Sequence, residues 1–301
     1  MDKETMTDQL QQIHQIQLFQ ASVMTNKPVN VASVAQRSPF RYPGGKTWFV
    51  PFAVAWLSRM EDRPRWYVEP FAGGAIVGLT VAFEHLADHV ILVEMDERVA
   101  AVWETIITAG EGKWLANQIE QFQLTADNVN HVLSQASTTT RERAFQTILQ
   151  NRTAHGGILA PGAGMIKNGE AGRGIASRWY PQTLARRIRD IDTIRDRFTF
   201  IQGDAFPIIE AHSQPDVVMF VDPPYTAGNG KRAGSRLYTH FEIDHDRLFT
   251  LMADTAADFL MTYDNDSYVV GMAEKHGLVH RPIAMQNTHL AKMTELVISR
   301  D

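Results

Sequence analysis

The sequence predicts an α/β fold whose sheet is interrupted by a helical insertion. Three observations carry that expectation. Short apolar runs that end in acidic residues, "RWYVE", "HVILVE", "FTFIQGD", "VVMFVD" and "ADFLMTYD", read as buried strands. A helical stretch follows each of the first two, giving a βαβ start with a right-handed crossover. Between about residues 105 and 197 the alternation stops, and helical patterning takes over around a glycine-rich stretch, "HGGILAPGAGMIKNGEAGRGIAS".

In chain order, residues 1–37 are a polar, Gln-rich extension in which Leu10, Ile13, Ile16, Leu18 and Phe19 could line a short amphipathic helix. A helix is expected after Pro51, over "FAVAWLSRM". "RWYVEPFAGGAIVGLTVAFEHL" reads as strand, glycine loop and helix, "HVILVEMD" as a strand ending in acids, and "ERVAAVWETIIT" as a helix. "HGLVH" resembles a strand entered from a glycine turn, and "ELVIS" closes the sheet. The expected organisation is a core domain of residues 38–104 and 198–301, with residues 105–197 inserted. There are no internal repeats.

The chain has 301 residues, enough to bury a full core. With no cysteine, disulfides, zinc–thiolate sites and thiol catalysis are excluded. A reducing compartment is compatible with this composition. The polar, acidic start does not resemble a signal peptide, and the apolar runs are too short to span a bilayer. The expected location is cytoplasmic, with no membrane partner. His240, His245, His276 and His280 make poor ligand sets without supporting carboxylates, so no metal is expected.

Charge is unevenly distributed. Residues 141–197 hold eleven Lys and Arg against five Asp and Glu, a net of +6 in a chain of net −5. Such a surface suits contact with phosphates, although "LARRIRDIDTIRDRF" could equally be a solvated face with paired charges.

Two short motifs invite chemistry. Gly44-Gly45-Lys46-Thr47 resembles the tail of a phosphate-binding loop, but Phe40 stands where that pattern needs its first glycine. The stretch before it, ending in prolines, reads as coil rather than a strand. The second motif is Asp222-Pro223-Pro224-Tyr225, delivered at the end of "VVMFV". At about 5% per residue type, a given tetrapeptide arises by chance on the order of once in 10⁵ positions. Two prolines cannot continue a central strand, so they stiffen its exit. The result is a carboxylate, a fixed Pro223 carbonyl and an aromatic ring at the sheet edge where α/β folds bind ligands. That set suits an amino group on a flat ring: its two hydrogens go to Asp222 and the Pro223 carbonyl, and Tyr225 stacks on the ring.

Together these motifs resemble the amino-group DNA methyltransferases, and more narrowly the Dam-type N6-adenine class. The order Gly44-Gly45-Lys46, then Glu69-Pro70-Phe71-Ala72-Gly73-Gly74, then a basic insertion, then Asp222 to Tyr225 is that of the class. The closing "MTELVIS", residues 293–299, resembles its last strand. The resemblance covers roughly residues 38–300. It implies a Rossmann-like, S-adenosylmethionine-dependent methyltransferase sheet with an inserted, mainly helical target-recognition domain. The implied activity is transfer of a methyl group from S-adenosylmethionine to adenine N6 in a specific sequence of double-stranded DNA, the base being flipped out. No obligate protein partner is evident.

The implied cofactor residues are Tyr42 as an aromatic wall, Gly44, Gly45 and Lys46 over the pocket, Glu69, Pro70, Phe71, Gly73 and Gly74 in the loop, and Glu94, Asp204 and Asp222. Glu94, 21 residues after Gly73, is placed to accept from ribose hydroxyls, with Asp96 as its competitor. The resemblance gives Asp204 the cofactor's adenine amino group, while its context also fits a helix N-cap. Lys46 would lie beside the cofactor carboxylate or the catalytic region. Expected DNA contacts are Arg141, Arg143, Asn151, Arg152, Lys167, Arg173 and Arg178. The chain departs from the family at Ala75, where a further glycine is common, at Tyr42, where Trp is usual, and in "TAHGGILAPGAG", so no recognition sequence carries over. Cytosine N4, RNA adenine or a protein Gln as target, and a DNA-binding module with a degenerate cofactor site, remain alternatives.

Overall fold

The computed structural model describes residues 28–42, 44–160, 162–225, 240, 242–286 and 292–300. The amphipathic stretch from Leu10 to Phe19 lies outside these residues.

The sheet has seven strands: β1 (Trp66–Glu69), β2 (His89–Glu94), β3 (Phe198–Gln202), β4 (Val217–Val221), β5 (Asp258–Asp264), β6 (Val279–Gln286) and β7 (Lys292–Ser299), in the order β3-β2-β1-β4-β5-β7-β6. Neighbours from β3 to β5 are parallel, and β7 runs antiparallel to both β5 and β6. The order turns back between β1 and β4, the switch point of a doubly wound α/β sheet. This is the α/β sheet expected from the strand runs, in the Rossmann-like arrangement that the family resemblance implies.

The helices before the insertion are α1 (Val50–Leu57), α2 (Ile76–Phe83) and α3 (Glu97–Ile107). Pro51 sits in the first turn of α1, where its missing N–H costs nothing. Asp96 caps α3 through the Arg98 amide. Between β2 and β3 follow α4 (Glu111–Gln121), α5 (Ala126–Ser134), α6 (Thr140–Thr153) and α7 (Pro181–Thr193), with short 3-10 turns across the glycine-rich stretch. Thr139 and Glu142 form a capping box on α6. The remaining helices among the described residues are α8 (Ala205–Ala211), α9 (His245–Asp254) and α10 (Ser267–Lys275).

The central strands are buried on both faces, and the two-residue period splits them between two cores. Val218 and Phe220 of β4 face the side of Phe49, Leu79 and Trp103. Val217, Met219 and Val221 face Ile209, Leu248, Phe249 and Met272, from α8, α9 and α10. The helices of the insertion extend the first core: Leu115, Ile148, Leu149, Leu184 and Ile188 belong to the same cluster as Trp103. The expected boundary between residues 104 and 105 falls inside α3.

Candidate active site

The C-terminal ends of β1, β2, β3 and β4 open on one pocket. Tyr42, Gly44, Gly45, Lys46, Glu69, Pro70, Phe71, Gly73, Gly74, Glu94, Asp204 and Asp222 all line it. Every residue expected from the cofactor motifs is therefore brought to one cavity. Pro224 joins them, with His240 and Ile243 further along the wall.

One end is the loop after β1. Gly73 has φ +47, and a Cβ there would come within 2.6 Å of the Tyr42 ring. A side chain would thus meet both backbone strain and the aromatic wall. Two carboxylates pin this loop. Glu94 Oε2 accepts the Gly73 amide at 2.9 Å, and its Oε1 accepts the Asp96 amide at 2.9 Å. Glu69 Oε2 accepts the Gly78 amide at 2.7 Å. The Trp103 indole donates to the Gly73 carbonyl at 2.9 Å. Burial pushes the Glu69 carboxyl up to about 8; the Gly78 amide opposes this and the charge of Asp222 adds to it. Burial also pushes Glu94 up to about 7, against the donors at Asp96 and Gly73. Glu94, rather than Asp96, holds the loop; Asp96 is occupied as the α3 cap and by Arg98 at 3.1 Å. Asp204 caps α8 through the Phe206 amide, as its sequence context allows, and also lines the pocket.

The other end is a corner built by β4, β5, β7 and the Gly44-Gly45 turn. Three donors converge on Asp222 Oδ1: Lys46 Nζ at 2.9 Å, Thr262 Oγ1 at 2.8 Å and the Tyr225 hydroxyl at 3.0 Å. Among the described residues no group donates to Oδ2. Glu295 Oε2 lies 2.9 Å from the Tyr225 hydroxyl and 3.5 Å from Lys46 Nζ. The Tyr225 ring stacks on Tyr263 at 5.6 Å, and the Lys46 ammonium lies 4.7 Å from its centroid. Burial raises the Tyr225 phenol well above its ordinary value, with Asp222 and Glu295 adding to the effect.

Lys46 is buried in this corner and also donates to the Gly44 carbonyl at 2.9 Å. Among the described residues before Gly44 there is no strand, and a 3-10 turn (Lys46–Phe49) leads into α1. The resemblance to a phosphate-binding loop therefore ends at the letters: the ammonium serves two carboxylates.

A carboxylate oxygen left open beside a cofactor-sized pocket is the expected acceptor for an amino group. The family model of D12 class N6 adenine-specific DNA methyltransferases matches residues 42–281. The chain belongs to this family. It is a methyltransferase, which implies a methyl donor. The match stops short of β7, so Glu295 lies outside it.

No curated protein matches the chain. Among solved structures, the rRNA methyltransferase aviRa of Streptomyces viridochromogenes is similar with a TM-score of 0.37 and 15% identity, covering 90% of this chain and 89% of that one. The candidate methyltransferase yhhF of Escherichia coli gives a TM-score of 0.34 and 11% identity, covering 82% and 80%. Similarity at this level carries nothing about substrate; the assignment rests on the family match and the sheet order.

For this D12 chain the expected DNA residues separate into two groups. Lys167 and Arg173 are exposed. Arg141 and Arg143, on α6, are open but paired with Glu111 at 3.6 Å and Glu97 at 3.2 Å. Arg178 is half-buried. Asn151 and Arg152 are placed differently from the expectation of direct contact. Asn151 is fully buried, accepts the Arg41 amide at 2.9 Å and donates to the carbonyls of Arg41 and Gly157. Arg152 is buried and donates to the Pro39 carbonyl. Helical periodicity turns this pair inward, where they tether the segment that carries Tyr42. Burial, with Arg187, Arg41 and Arg178 nearby, lowers the Arg152 guanidinium to about 9.

Sequence reasoning missed Thr262, Tyr263, Glu295 and Trp103. The first three sit on strands whose patterns were visible, but only the pairing of β5 with β4 and β7 shows which side chains reach Asp222. Trp103 lies in a helix that reads as plain core.

Proposed function

We propose that this methyltransferase transfers a methyl group from S-adenosylmethionine to the N6 amino group of adenine in a specific sequence of double-stranded DNA, with the target base flipped out of the helix. The observation that carries this reading is Asp222: three donors hold one oxygen, and the other is left for an incoming amine at the sheet edge.

The residues present fit the cofactor. S-adenosylmethionine when bound supplies an electrophilic methyl carbon on a sulfonium. Glu94 retains acceptor capacity for ribose hydroxyls beyond its two backbone donors, because a carboxylate has about four lone-pair sites. Asp204 is an acceptor for the adenine amino group, and Tyr42, Phe71 and the Gly73-Gly74 backbone wall the pocket.

The target nitrogen is a poor nucleophile, because its lone pair is delocalised into the ring. Asp222 Oδ2 and the Pro223 carbonyl accept its two hydrogens and draw it towards tetrahedral geometry. With the donor bound, the localised lone pair would take the methyl carbon, the sulfonium leaving as a neutral thioether, and the proton that N6 then sheds would pass to Asp222 Oδ2 or to solvent. Holding the amine in line supplies much of the rate. Flipping is required because the amino group is out of reach inside the duplex, and Tyr225 offers an aromatic partner for the lost stacking. The inserted helices, residues 105–197, form the target-recognition part in this reading. Arg141, Arg143, Lys167, Arg173 and Arg178 contact phosphates or bases, while Asn151 and Arg152 act by positioning residues 39–41.

Purified chain with methyl-labelled cofactor and mixed-sequence duplex DNA is expected to place label on adenine N6. Label on cytosine alone, or on RNA alone, overturns the proposal.

A further inference from the structure

Asp222, Tyr225 and Glu295 contain a proton shortage. The Tyr225 hydroxyl stands 3.0 Å from Asp222 Oδ1 and 2.9 Å from Glu295 Oε2, yet it has one hydrogen to donate. With both acids ionised, one of these two close contacts holds no hydrogen. Lys46 has three hydrogens and reaches three acceptors, Asp222 at 2.9 Å, the Gly44 carbonyl at 2.9 Å and, more weakly, Glu295 at 3.5 Å, so its single charge is divided between the two acids. One cation and one hydroxyl thus serve two carboxylates. Glu295 is buried and lies outside the span matched by the family.

We propose that Glu295 is a positioning residue for methyl transfer: by competing with Asp222 for the Tyr225 hydroxyl and the Lys46 ammonium, it prevents those donors from neutralising Asp222 and keeps the second Asp222 oxygen a strong acceptor for the target amine. The proposal rests on the reading of Asp222 as that acceptor. An ionised Glu295 does this; a protonated one donates to the Tyr225 oxygen, and the hydroxyl then turns wholly to Asp222.

The groups facing Glu295 are Lys46 from the turn before α1, Asp222 and Tyr225 from the end of β4, and Asp264, its register partner on β5; on β6 it is opposite the apolar Ile283. Burial holds the Glu295 carboxyl above the ordinary range, while Lys46 pulls it down and Asp222 pushes it up. Burial raises Asp264 as well. Activity that requires the ionised Glu295 is present above its folded value and is lost as the pH falls through it. Asp264 titrates with or without Glu295, so a difference between variants isolates Glu295.

The test compares wild type, Glu295→Gln and Glu295→Asp with labelled S-adenosylmethionine and duplex DNA across pH. In Glu295→Gln, kcat is expected to fall about tenfold to hundredfold. KM for DNA, the cofactor Kd and Tm should hold, and the part of the acid limb due to Glu295 should vanish. Glu295→Asp should regain that limb with part of the rate. Unchanged kcat and acid limb in Glu295→Gln, or a loss confined to Tm and KM, overturns the proposal alone. A wild type that labels no adenine overturns it together with the functional reading beneath it.

Discussion

The two ends of the pocket are held by different chemistry. At the glycine-loop end, carboxylates hold backbone amides: the half-buried Glu94 takes Gly73 and Asp96, and the buried Glu69 takes Gly78. At the β4 corner, side chains hold side chains, with Lys46, Thr262 and Tyr225 around one oxygen of Asp222 and Glu295 behind them. The first arrangement makes a shaped cradle from groups that cannot move without unfolding the loop. The second makes a charged acceptor whose strength depends on how its donors are shared. Under the proposed function, the difference predicts that cofactor binding and chemistry can be separated by mutation.

The largest expected effect breaks the second end alone. Asp222→Ala should lower kcat by at least about 10²–10³ while the cofactor Kd, measured by calorimetry, stays within a few-fold of wild type. A matched loss of cofactor affinity would show that the two ends are not separable. Next, Glu94→Ala frees the Gly73 and Asp96 amides. Hydrogen bonds to a charged group are worth about 1.5–3 kcal/mol, so cofactor Kd should rise roughly tenfold to hundredfold with a smaller change in kcat at saturation.

A third test uses pH on the protein without cofactor. The folded Glu69 carboxyl is raised to about 8, above its unfolded value, so the folded state binds the extra proton between the two. Stability from this group is therefore full at low pH and lost as the pH rises through about 8. Tm should fall by roughly 10 °C between pH 5 and pH 9: about 4 kcal/mol is lost over that range, at about 2–4 °C per kcal/mol for a chain of this size or slightly smaller. Glu69→Gln should flatten that slope. The smallest effect concerns Ala75, which caps α2 with φ +47 and ψ +31. A left-handed residue with a Cβ costs about 1–2 kcal/mol, so Ala75→Gly should raise Tm by a few degrees without changing kcat. A fall in Tm would mean that contacts of the buried Ala75 methyl outweigh the strain.

The strands and the glycine loop were legible because each is a local pattern: an apolar run, an acid at its end, glycines where backbone must come close. The expected cofactor residues followed from the same motifs, and all of them line one pocket. Asn151 and Arg152 show where local reading failed. Their letters suit DNA contact, but their positions on α6 turn them towards residues 39–41. Periodicity in a mixed helix such as "TRERAFQTILQNRT" does not separate a buried polar face from an exposed one. Glu295 was written in a quoted segment, yet nothing in "MTELVIS" distinguishes a buried acid from a solvent-facing one on a strand.

By itself the sequence determined the α/β class, the βαβ start, the interrupted alternation and the Asp222-Pro223-Pro224-Tyr225 motif at the end of β4. Those depend on neighbours within a few residues, where sterics and hydrophobic period act directly. Only the tertiary structure decided that Lys46, Asp222, Thr262 and Glu295 share one network, with Tyr225 between two acids. These residues are up to 249 positions apart in the chain. They meet because β4, β5 and β7 are adjacent in the sheet and the Gly44-Gly45 turn lies over their ends, and strand order is settled by packing the whole core.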